Sequence, residues 1–183
     1  WNRTHPNLAE GEAVRRAAYF AREMGVRTYV VHSSTREAVE ALAADKHPNL
    51  YVETTSPYLC LDTDSPIGAY GKMLPPIREP ESRKALWDGI RSGLIDTIGT
   101  DNTVLTAGEK QVSSGMREAG AGYPTLGTHL VSVLDEGIYR QELPIEKLVP
   151  LMTMNPARIF GVYPRKGTIL PGSDADLVLV LSL

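Results

Sequence analysis

Apolar and polar positions along this chain switch between a helical and an extended period, and the switches mark its elements. From Asn7 the spacing is helical. Asn7-Leu8-Ala9-Glu10 has the form of a capping box, Ala13, Ala17, Ala21 and Met24 fall on one face, and Gly25 supplies a stop. A short apolar run at 28–31 reads as a strand that ends on His32. Ser34-Thr35-Arg36-Glu37 is a second capping box and opens a helix with Ala38, Val39 and Leu42 facing inward. Residues 50–54 are the next strand. A third unit has Pro80 in a first helical turn, Ala85, Leu86 and Ile90 apolar, and Gly93 as the stop. The strand at 95–99 then delivers Asp101. Glu10, Glu12 and Glu37 are explained as charges that favour helix starts.

Two stretches break this rhythm. Residues 56–79 and 103–123 carry Pro, Gly and Ser without periodicity and predict loops. Loops of that length in a compact domain are functional or unstructured, so both are expected to flank the mouth of a site and to be less ordered than the helices. Helices follow over 128–136 and 144–152, the second with Ile145, Leu148, Val149 and Met152 as an inward stripe. Asn155-Pro156 caps a short helix ending near Gly161. From about residue 166 the pattern changes again. Gly167-Thr168-Ile169, a Pro171-Gly172 turn and Asp176-Leu177-Val178-Leu179-Val180 predict strands of a separate small sheet. The expected division is an α/β part over 1–165 and β structure over 166–183.

Strands alternating with helices place the chain in the α/β class, with 28–31, 50–54 and 95–100 as neighbouring parallel strands. Ionisable residues just past the C-terminal ends of such strands are favoured catalytic positions, which singles out His32 and Asp101. Each also has an ordinary explanation. A histidine after an apolar run is often a hydrogen-bonded core residue, and an aspartate after a strand is often a helix N-cap.

At 183 residues with 42% hydrophobic and 22% charged positions, the chain can bury a sizeable core. A net charge of −3 gives no electrostatic reason to expect nucleic acid or an acidic membrane. No apolar run approaches the roughly 20 residues that span a bilayer. The single cysteine, Cys60, excludes an internal disulfide and a cysteine-based zinc site, and reads as a small apolar strand residue. The opening Trp1-Asn2-Arg3-Thr4-His5 has neither an initiator methionine nor a signal-peptide pattern, as expected of a piece of a longer cytoplasmic protein.

Several stretches together carry a resemblance: Val30-Val31-His32-Ser33-Ser34, Pro75-Pro76-Ile77-Arg78-Glu79, Ala85-Leu86-Trp87, Ile98-Gly99-Thr100-Asp101, Asn155-Pro156-Ala157-Arg158 and Gly172-Ser173-Asp174-Ala175-Asp176-Leu177-Val178. In that order they resemble the C-terminal part of the cyclic-amide amidohydrolases: hydantoinase, dihydropyrimidinase, allantoinase and dihydroorotase. The resemblance implies the C-terminal portion of a (β/α)8 TIM barrel followed by strands of a small β-sandwich. It implies a divalent-metal site, two zinc ions in the full-length protein, where His32 is a ligand of one metal and Asp101 a ligand of the other and the proton shuttle. A metal-bridging hydroxide would open a cyclic amide or ureide ring.

Leu74 and Ala121 correspond to positions that bind the substrate ring through backbone groups, where relatives carry serine or asparagine. Asn102 replaces the histidine that usually follows the aspartate. The remaining metal ligands, a His-x-His pair, a carboxylated lysine and a further histidine, are expected upstream of residue 1. His5, His47 and His129 match no ligand position. Relatives are commonly homo-oligomers, and the partner implied is a small cyclic amide. The alternative is a non-catalytic amidohydrolase-like scaffold that keeps the fold without the site.

Overall fold

Three short parallel strands, β1 (Thr28–Val30), β2 (Leu50–Thr55) and β3 (Thr97–Gly99), lie side by side in that order. The computed structural model describes residues 1–122 and 124–180. Thr28 lies opposite Leu50 and Val30 opposite Val52, while Glu53 faces Thr97 and Thr55 faces Gly99. Because successive side chains of a strand point to opposite faces, this register sorts the sheet into two sides. Val30, Leu50 and Val52 face a core built with α1 (Asn7–Met24) and α2 (Arg36–Asp45). Tyr29, Tyr51, Glu53 and Thr97 share the other side, half-buried or buried, where the Tyr29 ring meets Phe160 edge-on at 5.1 Å.

The helices form where the sequence pattern places them, with their faces and caps adjusted. In α1 the buried stripe is Gly11, Val14, Ala18 and Ala21, so Ala13 and Met24 turn to solvent. The stripe runs through a glycine, which carries no apolar signal, and this rotates the real face away from the apparent one. Pro6, not Asn7, is the N-cap of α1, and no side chain caps it. In α2 Thr35 is the N-cap and its hydroxyl accepts the Ala38 N–H at 3.1 Å, while Ser34 lies one residue outside the helix.

A second core joins α3 (Ser56–Cys60), α4 (Pro80–Arg91), α6 (His129–Leu134) and α7 (Ile145–Met152) to β3. Between α4 and α6 lies the short α5 (Ala107–Lys110), and α8 (Met154–Ile159) follows α7. Trp87 of α4 is fully buried, and its indole N–H donates to the Leu59 carbonyl at 3.0 Å.

Both expected loops carry structure. Residues 56–79 begin as α3, bury Tyr58, Leu59, Met73 and Ile77, and contain a 3-10 turn at Gly68–Gly71. Their apolar residues are spaced irregularly because they pack from short separate segments, which leaves no period to detect. Cys60 accordingly ends a helix and not a strand. In 103–122 the Thr106 and Glu109 side chains form a reciprocal capping box that opens α5. Val131 of α6 and Val149 of α7 point outward, while α7 buries Leu148, as expected, together with Leu151.

The expected small sheet is absent among the described residues: none after Gly99 is in a strand. Ile169, Leu177, Val178 and Leu179 are exposed, Leu179 by 81%. A strand needs a neighbour for its N–H and C=O groups, and no described segment pairs with this one. Tyr123 of the second expected loop and residues 181–183 of the tail lie outside the described residues. No helix among the described residues is long and apolar enough to cross a membrane.

Candidate active site

β1 and β3 each end two residues before a non-glycine residue in left-handed backbone: His32 at φ 42° and Asp101 at φ 46°. Such a conformation costs about 1–3 kcal/mol per residue and persists only where the surroundings enforce it. Both residues therefore sit at the same end of a parallel sheet, on strands separated by β2. The His32 ring and the Asp101 carboxylate take part in no hydrogen bond or ion pair among the described residues. Asp101 caps no helix, since α5 starts at Ala107 behind Thr106. His32 is half-buried at the surface and not a core histidine.

The loop that carries His32 is held from three sides. From β2, the Glu53 carbonyl accepts the Ser33 N–H at 2.8 Å, its carboxylate accepts the His32 N–H at 3.3 Å, and the Thr54 hydroxyl donates to the Ser33 carbonyl at 2.8 Å. From α1, Glu10 accepts both N–H groups and both hydroxyls of Ser34 and Thr35, at 2.5 to 3.2 Å. From the segment after Leu74, Arg78 donates to the Ser34 hydroxyl at 3.1 Å, to Glu10 at 3.3 Å and to the His5 carbonyl at 2.5 Å. Arg78 is 4% exposed, so this is a buried, charge-assisted network. Glu10 stands in the first turn of α1 as expected, and its carboxylate is in addition directed at the His32 loop.

Glu53 also accepts the Tyr29 hydroxyl at 2.8 Å, and the Tyr29 and Thr97 hydroxyls lie 2.6 Å apart. Burial is the main cause that pushes the Tyr29 phenol above its ordinary range. Gly99 leaves room for this carboxylate, since a Cβ there would come within 2.5 Å of a Glu53 oxygen.

His32 and Leu74 line one cleft of about 450 Å³, with Glu10, Arg78, Pro75 and His5 around them. His5 is the histidine whose position the sequence does not connect to His32. Its ring lies on Trp1 at 4.4 Å, and Nδ1 is 2.9 Å from the Thr4 hydroxyl. Asp101 and Ala121 lie outside this cleft. A larger concavity of about 580 Å³, along Gly11, Arg15 and Tyr19 of α1, contains neither His32 nor Asp101.

Leu74 and Ala121 belong to two segments tied together by the Gly122 N–H, which donates to the Lys72 carbonyl at 2.9 Å. The backbone groups of Leu74 and Ala121 themselves have no partner among the described residues. The loop after β3 is fixed by Thr125, whose hydroxyl donates to the Thr100 carbonyl at 2.6 Å, and by Asn102, whose side chain accepts the Leu126 N–H at 3.1 Å. His129 lies 3.0 Å from the Ser56 hydroxyl, and burial holds its imidazole below the ordinary value despite a backbone hydrogen bond at Ile98.

Neutral imidazole and carboxylate are donors suited to a divalent ion such as zinc. His32 and Asp101 therefore fit such an ion by type and by placement at the strand ends. Among the described residues no group of three or more His, Cys, Asp or Glu side chains converges to hold one.

The family model described as "Amidohydrolase family" matches residues 77–182, more than half of the chain. The chain belongs to the amidohydrolase family. Its similarity extends over nearly its whole length to enzymes of this family that differ in substrate. It is 36% identical over 182 residues to the L-hydantoinase of Paenarthrobacter aurescens, across 97% of this chain and 40% of that protein. It is equally 36% identical over 182 residues to the dihydroorotase of Halobacterium salinarum, across 98% of this chain and 42% of that protein. The solved L-hydantoinase (dihydropyrimidinase) of Arthrobacter aurescens superposes with a TM-score of 0.85 at 36% identity, covering 93% of this chain and 39% of the other. The chain therefore spans about two fifths of the length of the relatives it matches.

Proposed function

We propose that this chain is the C-terminal part of a metal-dependent hydrolase that opens a cyclic amide or ureide ring. The observation that carries the reading is the pair His32 and Asp101. Both stand just past the ends of parallel strands, in enforced left-handed backbone, with side chains free of other partners among the described residues. In this reading β1, β2 and β3 are consecutive strands of a (β/α)8 barrel whose C-terminal mouth holds the site. Residues 166–183 contribute to a small β-sandwich, which gives the exposed apolar tail a destination.

His32 and Asp101 would hold divalent ions, zinc by donor type, together with ligands from the rest of the polypeptide. A divalent ion there supplies a polarised ring carbonyl and a more acidic water. Asp101 takes the proton of the attacking water and returns it to the leaving nitrogen, which requires a carboxylate without competing hydrogen bonds. The open N–H and C=O groups of Leu74 and Ala121 fit the alternating carbonyl and N–H edge of a cyclic ureide. Glu10, Arg78 and Glu53 keep the His32 loop in its strained form before substrate arrives, which is what a preorganised ligand needs.

A second reading, a non-catalytic scaffold, draws on Asn102, whose side chain is occupied in holding Leu126. The test is metal analysis of the full-length protein followed by assays on hydantoin, dihydrouracil, allantoin and dihydroorotate. Bound zinc and turnover of at least one ring are expected. Absence of both would favour the scaffold.

A further inference from the structure

Lys110 lies at the end of α5 and is 3% exposed, an unusual place for an ammonium group. Its Nζ donates to three backbone carbonyls: Lys72 at 3.0 Å, Gly120 at 3.0 Å and Gly122 at 2.6 Å. An ammonium has three N–H bonds, and these three acceptors match them. The Lys110 carbonyl in turn accepts the Gly120 N–H at 2.8 Å, so one residue grips Gly120 through both its N–H and its carbonyl. Two further contacts join the same segments. The Gly122 N–H donates to the Lys72 carbonyl at 2.9 Å, and the Lys72 ammonium donates to the Arg117 carbonyl at 2.8 Å. Gly122 has φ 91°, and a Cβ there would meet the Thr103 hydroxyl at 2.6 Å, so the segment is also pressed onto the loop that follows Asp101.

The acceptors are not random carbonyls. They flank the two residues whose own backbone groups are open among the described residues. Lys72 stands two positions before Leu74, and Gly120 and Gly122 stand on either side of Ala121. The Gly120 carbonyl and the Ala121 N–H belong to one peptide unit. Donation of a charged N–H to that carbonyl draws electron density along the unit and makes the Ala121 N–H a stronger donor.

We propose that Lys110 is a positioning residue for substrate, one that fixes the spacing of the Leu74 and Ala121 backbone groups and strengthens the Ala121 N–H for a ring carbonyl. The inference rests on the reading of the site as a cyclic-amide hydrolase. Lys110 touches neither substrate nor metal in this role, and it acts through the backbone it holds.

The experiment uses the full-length protein with Lys110→Met, which keeps length and removes the charge, and Lys110→Gln, which keeps two donors. Steady-state kinetics on hydantoin and dihydrouracil are combined with metal content and amide hydrogen exchange over 72–74 and 118–122. The expected result for Lys110→Met is a KM raised about tenfold or more, with kcat within about threefold and metal content unchanged. Exchange at Gly120 and Gly122 accelerates in parallel, and Lys110→Gln falls between. An unchanged KM, or a loss confined to kcat, overturns the inference while leaving the hydrolase reading intact. Failure of both variants to fold assigns Lys110 to the fold itself and also overturns it. A wild-type protein that opens no cyclic amide sinks the hydrolase reading, and the substrate role of Lys110 falls with it.

Discussion

Asp101 is the residue on which chemistry and structure can be separated most cleanly. Its carboxylate is exposed and caps no helix, so Asp101→Asn removes a proton acceptor without removing a structural contact. On the reading proposed above, this substitution in the full-length protein is expected to lower kcat by at least about a thousandfold, since the amide cannot accept the proton, while the metal-free protein keeps its melting temperature. Turnover within a few-fold of wild type on the true substrate would remove Asp101 from catalysis. His129 gives a prediction of a different kind. Burial lowers its folded-state pKa below the ordinary histidine value of about 6.5. Below that value the unfolded chain binds the proton more readily than the folded one. The stabilisation from a neutral His129 is thus complete above about pH 6.5 and is lost as the pH falls toward the folded pKa. Melting temperatures measured from pH 7.5 to 5 should decline, and His129→Gln should flatten that limb. An equal decline in the variant would assign it to other groups. His32 and Asp101 are legible as candidates from strand-end positions alone, and their roles come only from the family resemblance. Glu10, Arg78 and Lys110 are not legible, because their partners are distant in sequence and only the folded chain brings them together.

At the scale of elements, the contrast between Glu10 and Glu12 shows what sequence pattern leaves out. Both stand in the first turns of α1 and look alike on a helical wheel. Glu12 forms an exposed pair with Arg16, of the kind that contributes little. Glu10 sits in a buried network with Arg78 and the His32 loop. Arg78→Met should therefore cost about 3–5 kcal/mol by leaving the Glu10 carboxylate without its cation. Chemical denaturation checks this, with Glu12→Ala as the control that leaves the midpoint in place. A loss no larger than that of Glu12→Ala would show that the network is dispensable. Strands β1 to β3 and helices α2 and α4 are legible because caps, stops and period agree along each of them. Helix α3 is not, since five residues that include Pro57 carry less than two turns of periodicity. The end of α6 is hidden for another reason: the chain continues as a π-type turn over Asp135–Arg140, whose wider period removes the 3.6-residue signal.

The whole molecule carries two kinds of unfinished surface, and both bear on what the 183-residue chain can do alone. One side of the sheet, with Tyr29, Tyr51 and Glu53, is only half-buried, and the tail exposes Leu177, Val178 and Leu179. The candidate metal site has the same character, because His32 and Asp101 are two donors and no third converges on them among the described residues. A divalent ion binds tightly when several ligands are held in fixed geometry by their neighbours, and two donors on strands separated by β2 leave most of its coordination to water. Residues 1–183 by themselves should therefore take up little zinc and hydrolyse no cyclic amide, even where the full-length protein proves to be the zinc-dependent hydrolase proposed above. Calorimetric titration with zinc checks this, on a chain whose helical circular dichroism confirms that it is folded, alongside assays on hydantoin and dihydrouracil. Stoichiometric binding at micromolar zinc would mean that the ligands needed are already present in this chain, and the search for them would turn to His5, which shares the His32 cleft.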